Sequence, residues 1–268
     1  MKPRNEGARI PVTKQKPSLP YRMIKGTVRF FYPKIEVVGA ENLPDEPVVV
    51  VANHSQMNGP ICCELYFPGH RYTWCAGEMM HLKEVPAYAY RDFWSRKPKW
   101  SRPFYKALSY LIAPLSVCVF NNAQTIGVYH DSRVLSTFKN TVTKLCQGAS
   151  VVVFPEEDAD YNGILCQFQD KFIDLARPYY KKTGKELAFV PMYIAPRLKK
   201  MYIGQPVRFC ADNSMEEERC RIRQCLMEAI TAIAQDLPAH TVVPYRNIPK
   251  KDYPTNIPKE DAYEKAGR

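Results

Sequence analysis

At 268 residues with 46% hydrophobic and 24% charged side chains, the chain is long enough to bury a sizeable core and too apolar to be disordered throughout. Nine cysteines, an odd number with no C-x-x-C pair, indicate neither a disulfide framework nor a zinc ribbon; Cys62, Cys63, Cys220 and Cys225 read as small apolar fillers in a reducing compartment. A formal net charge of +11 is unevenly placed, and that placement is more informative than the total.

In chain order, residues 1–20 are rich in Lys, Arg and Pro and read as a basic flexible N-terminus. Met1-Lys2-Pro3-Arg4-Asn5 leads into a polar stretch, so no signal peptide is expected. Residues 1–34 carry nine Lys or Arg against the single acid Glu6. From Tyr21 to Tyr32 an apolar and basic mixture predicts a short helix lying against the body or a membrane. Ile35 to Gly39 alternates like an exposed strand, and Asn42 to Pro47 turns into the apolar run Pro47 to Ala52, a buried strand. Gly59-Pro60 starts a helix through Phe67, since proline suits a first helical turn.

Arg71 to Ala76 and Leu115 to Phe120 read as further strands. No transmembrane helix is expected: the best candidate, Leu108 to Phe120, is broken by Pro114 and is shorter than the ~20 residues a span requires. Ser132 to Gln147 is predicted helical, capped by Ser132 and stopped by Gly148. Ser150 to Phe154 is another apolar run of strand length, followed by a long helix from Leu165 to Lys182 that ends at Gly184. Leu187 to Ile194 and Met201 to Val207 read as strands, and Met215 to Ala234 as an amphipathic helix. Continuous apolar runs separated by helices predict one α/β domain over residues 21–243, a single mixed, largely parallel sheet covered by helices on both faces. The tail, residues 244–268, is polar and Pro-rich and is expected to pack loosely.

Within residues 91–106, six cations interleave with five aromatics. Amphipathic rings and cations suit the headgroup layer of an anionic bilayer, with Trp94, Arg96, Lys97, Lys99, Trp100 and Arg102 as the contacts. A nucleic-acid surface wants the same groups, and a solvated loop with a few packed rings is the plainest alternative. Because the nucleic-acid reading rests on charge alone, no nucleic acid is expected as a partner.

The candidate chemistry lies where the buried strand gives out, at Asn53-His54-Ser55. A histidine at the C-terminal end of such a strand points toward the place where open α/β sheets carry ligands, and its pKa suits a general base. The bland alternative is a strand-end histidine with an ordinary hydrogen bond. Ser55 is not a nucleophile elbow, since G-x-S-x-G is absent. His54 with Cys62, Cys63 and Cys75 lacks metal-ligand spacing, so no metal is expected. No glycine-rich dinucleotide or phosphate loop occurs, and no cofactor is expected. His70, His81, His130 and His240 sit in unpatterned surroundings and read as surface or structural residues.

Four segments in order over residues 35–210 carry a resemblance. Asn53-His54-Ser55-Gln56-Met57-Asn58-Gly59-Pro60 is similar to N-H-x-x-x-x-D-P, and Val38-Gly39-Ala40-Glu41-Asn42-Leu43-Pro44 to the lead-in of glycine, turn and proline that precedes it. Val151-Val152-Val153-Phe154-Pro155-Glu156-Glu157 is similar to a strand followed by F-P-E-G, and Ala188-Phe189-Val190-Pro191-Met192-Tyr193 to an apolar strand interrupted by proline. Together they resemble the lysophospholipid acyltransferase family, which includes the glycerol-phosphate and lysophosphatidate acyltransferases.

The resemblance implies that family's fold and acyl transfer to a lysophospholipid-like hydroxyl, in phospholipid biosynthesis or remodelling. Acyl-CoA or acyl-carrier protein would be the donor, as substrate rather than cofactor. His54 would be the base, acting without a covalent serine. Glu156, the acid retained, would partner His54 or the acceptor headgroup. Asn53, Asn58, Gly59, Pro60, Asn121, Arg133, Pro155 and Glu157 would line the substrate site, with Gln56 and Asn58 as neutral hydrogen-bond partners of the imidazole. The lysophospholipid, the acyl donor, an anionic membrane surface and an acyl-carrier protein are the partners implied. The expected place is the cytoplasm, peripherally on the inner face of the membrane.

The sequence departs from the pattern at three places. Gly59 stands at the aspartate position. Acids follow in Glu156-Glu157-Asp158-Ala159-Asp160 where glycine, threonine and arginine are usual, and the block that normally ends in arginine reads Val119-Phe120-Asn121-Asn122. Either a different carboxylate orients His54 and the acceptor is not a simple glycerol phosphate, or the chain is an inactive lipid- or acyl-binding homologue. Glu157, Asp158 and Asp160 bind an amine-bearing headgroup or sit at a helix start, where acids suit the dipole. Arg133 and Lys139 supply displaced phosphate contacts or lie on a solvated helix face.

Overall fold

The computed structural model describes residues 16–95 and 97–257, which contain seven α-helices and ten strands. In chain order these are α1 (Leu19–Phe31), β1 (Glu36–Val38), β2 (Val49–Ala52), α2 (Asn58–Tyr66), β3 (Arg71–Ala76), α3 (Val85–Ala89), α4 (Arg102–Asn122), β4 (Thr125–Val128) and α5 (Val134–Cys146). They continue as β5 (Ser150–Val153), β6 (Glu156–Tyr161), β7 (Cys166–Phe168), α6 (Ala176–Thr183), β8 (Ala188–Ala195), β9 (Lys200–Ile203), β10 (Val207–Arg208) and α7 (Met215–Gln235). The described residues gather into two units, one formed by residues 33–70 and 142–257 and the other by 16–32 and 71–141. The span 21–243, expected as one domain, is thus shared between them.

In the first unit, β2 lies between parallel partners: Val49 pairs with Val151 of β5 and with Phe189 of β8. β8 runs antiparallel to β9 and β10, and β9 parallel to β1. All four side chains of β2 and all eight of β8 are buried, as strands covered on both faces require. β8 passes through Pro191 without breaking, because its antiparallel pairing with β9 begins one residue later and the amide of Gly204 donates to the Pro191 carbonyl at 2.8 Å. On α7, Ile222, Leu226, Ile230 and Ala234 recur every fourth residue and are buried, laying one apolar stripe on β8. A Ser214–Glu217 capping box starts this helix.

The expected helix from Leu165 to Lys182 is absent. Its place is taken by β7, a 3-10 segment at Lys171–Leu175 and the shorter α6. The reason is local: the Asn162 side-chain oxygen accepts from the amides of Ile164 at 2.9 Å and Leu165 at 2.7 Å, and Gly163 adopts φ +90°. That turn reverses the chain, so β6 and β7 form an antiparallel hairpin. Glu157, Asp158 and Asp160 therefore lie on a strand, and the helix-start reading of these acids is overturned.

In the second unit, β3 and β4 are parallel and α1, α3 and α4 pack together. Leu115 to Phe120, expected as a strand, is the C-terminal part of α4. Pro114 does not end this helix because it lies on the exposed face beside Tyr110, Leu111 and Leu115, while Ser109, Ala113 and Ser116 are buried on the other. This corrects the expectation that no helix is long enough to span: Lys99–Asn122 runs for 24 residues and contains an 18-residue stretch of mean hydropathy 1.4, which would suffice by length and composition. Just ahead of α5 the Asp131 side chain accepts the Arg133 amide at 2.8 Å, an Asx turn that leads into the helix. Both units are α/β, and the strand pairing is mixed and mostly parallel.

One charged residue lies on the buried stripe of α7. Glu218 is fully buried, and its carboxylate meets Arg221 at 2.7 Å, the Cys210 amide at 2.9 Å and Asn213 at 2.8 Å. Burial alone would raise its pKa, but Arg221, the Cys210 amide and Asn213 prevail and lower it from 4.5 to about 2. A carboxyl so lowered contributes stability that is complete above pH 4.5 and is lost as the pH falls toward 2. Glu218→Gln should cost about 2 kcal/mol at neutral pH, and calorimetry should find that deficit shrinking as the pH is taken from 4.5 toward 2.

Candidate active site

The end of β2 is fixed by side chains that behave like backbone. Asn53 is buried and brackets Ile194 of β8: its oxygen accepts the Ile194 amide at 2.7 Å and its nitrogen donates to the Ile194 carbonyl at 3.0 Å. Asn53 also donates to the Ser55 hydroxyl at 3.0 Å, which in turn donates to the Val243 carbonyl at 3.3 Å. Asn53 is thus a structural clamp in this arrangement.

After His54 the chain makes an abrupt reversal. Ser55 and Gln56 both adopt left-handed backbone, φ 45° and 54°, which costs a non-glycine residue of order 1 kcal/mol or more. The reversal is closed by the Asn58 side chain and amide, donating to the Ser55 carbonyl at 3.0 and 3.1 Å, and by the Gly59 amide, donating to His54 at 3.0 Å. This brings α2 hard against the strand end. A Cβ at Gly59 would stand 2.5 Å from the His54 carbonyl oxygen and 2.8 Å from the Phe154 ring. The position where the resemblance calls for aspartate therefore admits no side chain at all.

The half-buried imidazole of His54 has its Nδ1 2.5 Å from the carbonyl oxygen of Gln56. A carbonyl can only accept, so Nδ1 carries the proton, and in the neutral ring Nε2 holds the basic lone pair. Phe154 and Tyr245 flank the ring, with centroids 5.1 and 5.8 Å away.

Glu156 is buried beside His54, but both its oxygens are engaged by backbone: one accepts the His54 amide at 2.7 Å, the other the Cys166 amide at 2.9 Å. Burial raises its pKa from 4.5 to about 7, against the lowering effect of those two amides. The carboxylate expected to orient the imidazole instead ties the β2 end to the β6–β7 hairpin. Pro155 is buried and accepts the Gln169 amide at 2.9 Å, closing the same hairpin, and Glu157 is half-buried.

Residues 244–257, the described part of the C-terminal segment expected to pack loosely, belong to this site. Besides Tyr245, they supply Tyr253, whose hydroxyl lies 2.9 Å from the Gln56 side-chain nitrogen. Arg246 makes an ion pair with Asp158 at 2.5 Å and donates to the Ala159 carbonyl, returning a cation to the acidic strand β6. Asn256 is buried and holds the amide of His240 at 2.8 Å, and His240 itself is buried against the Tyr193 hydroxyl at 2.9 Å. Aromatic residues spaced through a Pro-rich tail were the only signal of such docking.

Asn53, His54, Asn58, Gly59, Pro60, Pro155, Glu156 and Glu157 all fall in the first unit, gathered around the end of β2 and the β6 hairpin. Asn121, Arg133 and Lys139 fall in the second. There Asn121 donates to the Met80 carbonyl at 3.0 Å. Arg133 pairs with Glu84 at 3.0 Å and Asp131 at 2.8 Å over the face of Tyr129, a guanidinium already neutralised by two carboxylates. Lys139 is exposed on α5. His81 bonds the Tyr129 hydroxyl at 2.8 Å. Among the described residues no three His, Cys, Asp or Glu side chains gather into a metal-holding group. An open cleft of about 460 Å³ at the β1–β9 edge is lined by Val38, Asn42, Tyr202 and Ile233 among others, and does not include His54.

No family model matches the chain, and no curated protein matches it. Among solved structures it is similar to the 1-acyl-sn-glycerophosphate (LPA) acyltransferase PlsC of Thermotoga maritima. The two are 19% identical over 81% of each chain, with a TM-score of 0.46. At that identity and superposition the likeness assigns no chemistry, and the site stands on its own geometry.

The close approach at Gly59 gives a sharp expectation. Gly59→Ala should cost at least about 2 kcal/mol in denaturant unfolding, because both atoms it meets are held in place. Gly59→Asp, which restores the residue of the resembled pattern, should destabilise at least as much and raise no activity.

Proposed function

We propose that the chain is an acyltransferase of lipid metabolism in which His54 is the general base. The observation that carries this reading is the Gln56 carbonyl on Nδ1, which leaves Nε2 as the proton acceptor of a half-buried imidazole at the end of a parallel strand. The motif order at Asn53–Pro60, Val151–Glu157 and Ala188–Tyr193 supplies the reaction class. In that reaction Nε2 takes the proton of an acceptor hydroxyl as its oxygen attacks a thioester carbonyl. The carbon–sulfur bond then breaks, and the imidazolium returns the proton to the departing thiolate. The acyl donor is acyl-CoA or acyl-carrier protein, and the acceptor is a lysophospholipid-like alcohol. The Gln56 carbonyl stabilises the transient imidazolium less than a carboxylate would.

The proposal includes docking of the second unit on the anionic, cytoplasmic face of a bilayer. Trp100, Phe104, Leu111 and Leu115 recur at helical spacing along α4 and its preceding turn, all more than half exposed, with Trp100 at 85%. Leu19, Met23 and Phe30 form a similar stripe on α1. Apolar side chains so aligned are rare on a surface that faces only water. Because the Ser109–Ala113–Ser116 face of α4 packs within its own unit, the helix suits lying in the headgroup layer rather than crossing it. Lys97, Lys99 and Arg102 are exposed at the start of this stripe, consistent with contact to acidic lipids. Trp94, named with them from the sequence, is instead half-buried, stacked on Tyr105 and packed against Met79, Val85, Ala89 and Ala113; Arg96 lies outside the described residues.

A second reading, an inactive lipid- or acyl-binding homologue, is favoured by two observations: both Glu156 oxygens are taken by backbone amides, and Gly59 has no room for an acid.

Purified protein assayed with anionic vesicles, a panel of lysolipids and acyl-CoA or acyl-carrier donors should release thiol, and His54→Ala should reduce that by about 10²- to 10⁴-fold. Turnover undiminished in the variant removes His54 as the base; binding of lysolipid without thiol release by the wild type selects the inactive homologue. Replacing Trp100, Phe104 and Leu111 together with Ser should weaken cosedimentation with anionic vesicles by at least about tenfold.

A further inference from the structure

The group that sets the His54 tautomer is a main-chain carbonyl, and such a carbonyl faces the ring only while its residue keeps its backbone angles. Gln56 keeps a left-handed φ of 54°, a conformation that a glutamine adopts only when something anchors it. The anchor is its own side chain. The Gln56 amide faces the Tyr253 hydroxyl with both atoms, Nε2 at 2.9 Å and Oε1 at 3.2 Å, and Nε2 also lies 3.4 Å from the Arg246 carbonyl oxygen.

Tyr253 is in turn a fixed point. The Pro254 carbonyl beside it accepts the Val242 amide at 2.9 Å. Asn256, three residues on, is buried; its side-chain nitrogen donates to Ala234 at 2.8 Å and Leu237 at 3.0 Å, and its backbone amide donates to His240 at 3.1 Å. Hydrogen bonds thus anchor Asn256 to the end of α7, the short stretch of chain from Asn256 back to Tyr253 carries that anchor, and hydrogen bonds again link Tyr253 to Gln56 and Gln56 to His54.

We propose that Tyr253 is a positioning residue for His54: by holding the Gln56 side chain it keeps the Gln56 carbonyl on Nδ1 and so keeps Nε2 as the basic nitrogen. The kinetic consequence rests on the acyltransferase reading, whereas the tautomer is a property of the free protein. The C-terminal segment in this view does work that a carboxylate does in a histidine–aspartate pair, from a position far along the chain.

The test is the conservative variant Tyr253→Phe of the full chain, read first by nitrogen-15 spectra of the histidines without substrate. His54 in the wild type should show the Nδ1–H form, and the variant should show a mixture of both forms. Gln56→Ala, which leaves the tail's own bonds intact, should give the same mixture and covers the case in which Tyr253→Phe loosens the tail. With acyl donor and lysolipid, each single variant should lose roughly three- to tenfold in kcat, the scale of one hydrogen bond, with KM for the acceptor within about twofold. The double variant should be no slower than either, because both changes remove one contact.

An unaltered His54 tautomer in both variants, or losses that multiply in the double variant, overturns the proposal. If the tautomer mixes as expected while even the wild type fails to turn over, Tyr253 retains its positioning role and the acyltransferase reading falls.

Discussion

A carboxylate shared between two main-chain amides governs the geometry of this site. Glu156 is almost fully buried, and its two oxygens receive the amides of His54 and Cys166. Such a group is tolerated in the interior only because donors replace the water it has lost. Here the donors belong to two different elements, so the same contact fastens the end of β2 to the β6–β7 hairpin. Burial drives the Glu156 pKa up to about 7 even with both amides in place.

Once the strand end is fixed in this way, the rest of the turn follows from space. The chain must reverse within a few residues, and it does so with two consecutive left-handed residues and with α2 pressed onto the His54 carbonyl. Only glycine fits at position 59 under that constraint. The turn leaves the imidazole facing a carbonyl where a carboxylate would hold its proton more strongly. A carbonyl fixes the tautomer as well as a carboxylate does, but stabilises the imidazolium less. The burden of orienting the ring then falls on whatever keeps Gln56 in place. The nearby acids are also less dominant than their number suggests, because Arg246 offsets Asp158.

Much of the scaffold was legible in the residues. The apolar runs at 49–52, 150–153 and 188–195 are strands, and the amphipathic stretch from Met215 is a helix. The failures have physical causes. Leu115 to Phe120 has the composition of a strand, but it continues a helix whose proline faces outward, where losing one amide bond is least costly. Leu165 to Lys182 has helical periodicity, but an asparagine side chain at 162 captures two amides and turns the chain before a helix can begin. The polarity of the C-terminal segment concealed its docking, since Tyr253 and Asn256 are held by hydrogen bonds rather than by burial of large apolar surface.

What the sequence by itself determined is the strand that ends in a histidine, the order of the apolar runs around it, and therefore the α/β class, because hydrophobic periodicity is a local property read from neighbours in the chain. What only the tertiary structure decided is the company that histidine keeps. Glu156 and Tyr253 lie 102 and 199 positions away along the chain, and one holds the backbone of His54 while the other reaches its ring through Gln56. No local pattern records which distant amide a buried carboxylate will satisfy, for that is settled by where two strands and a tail meet after the core has formed.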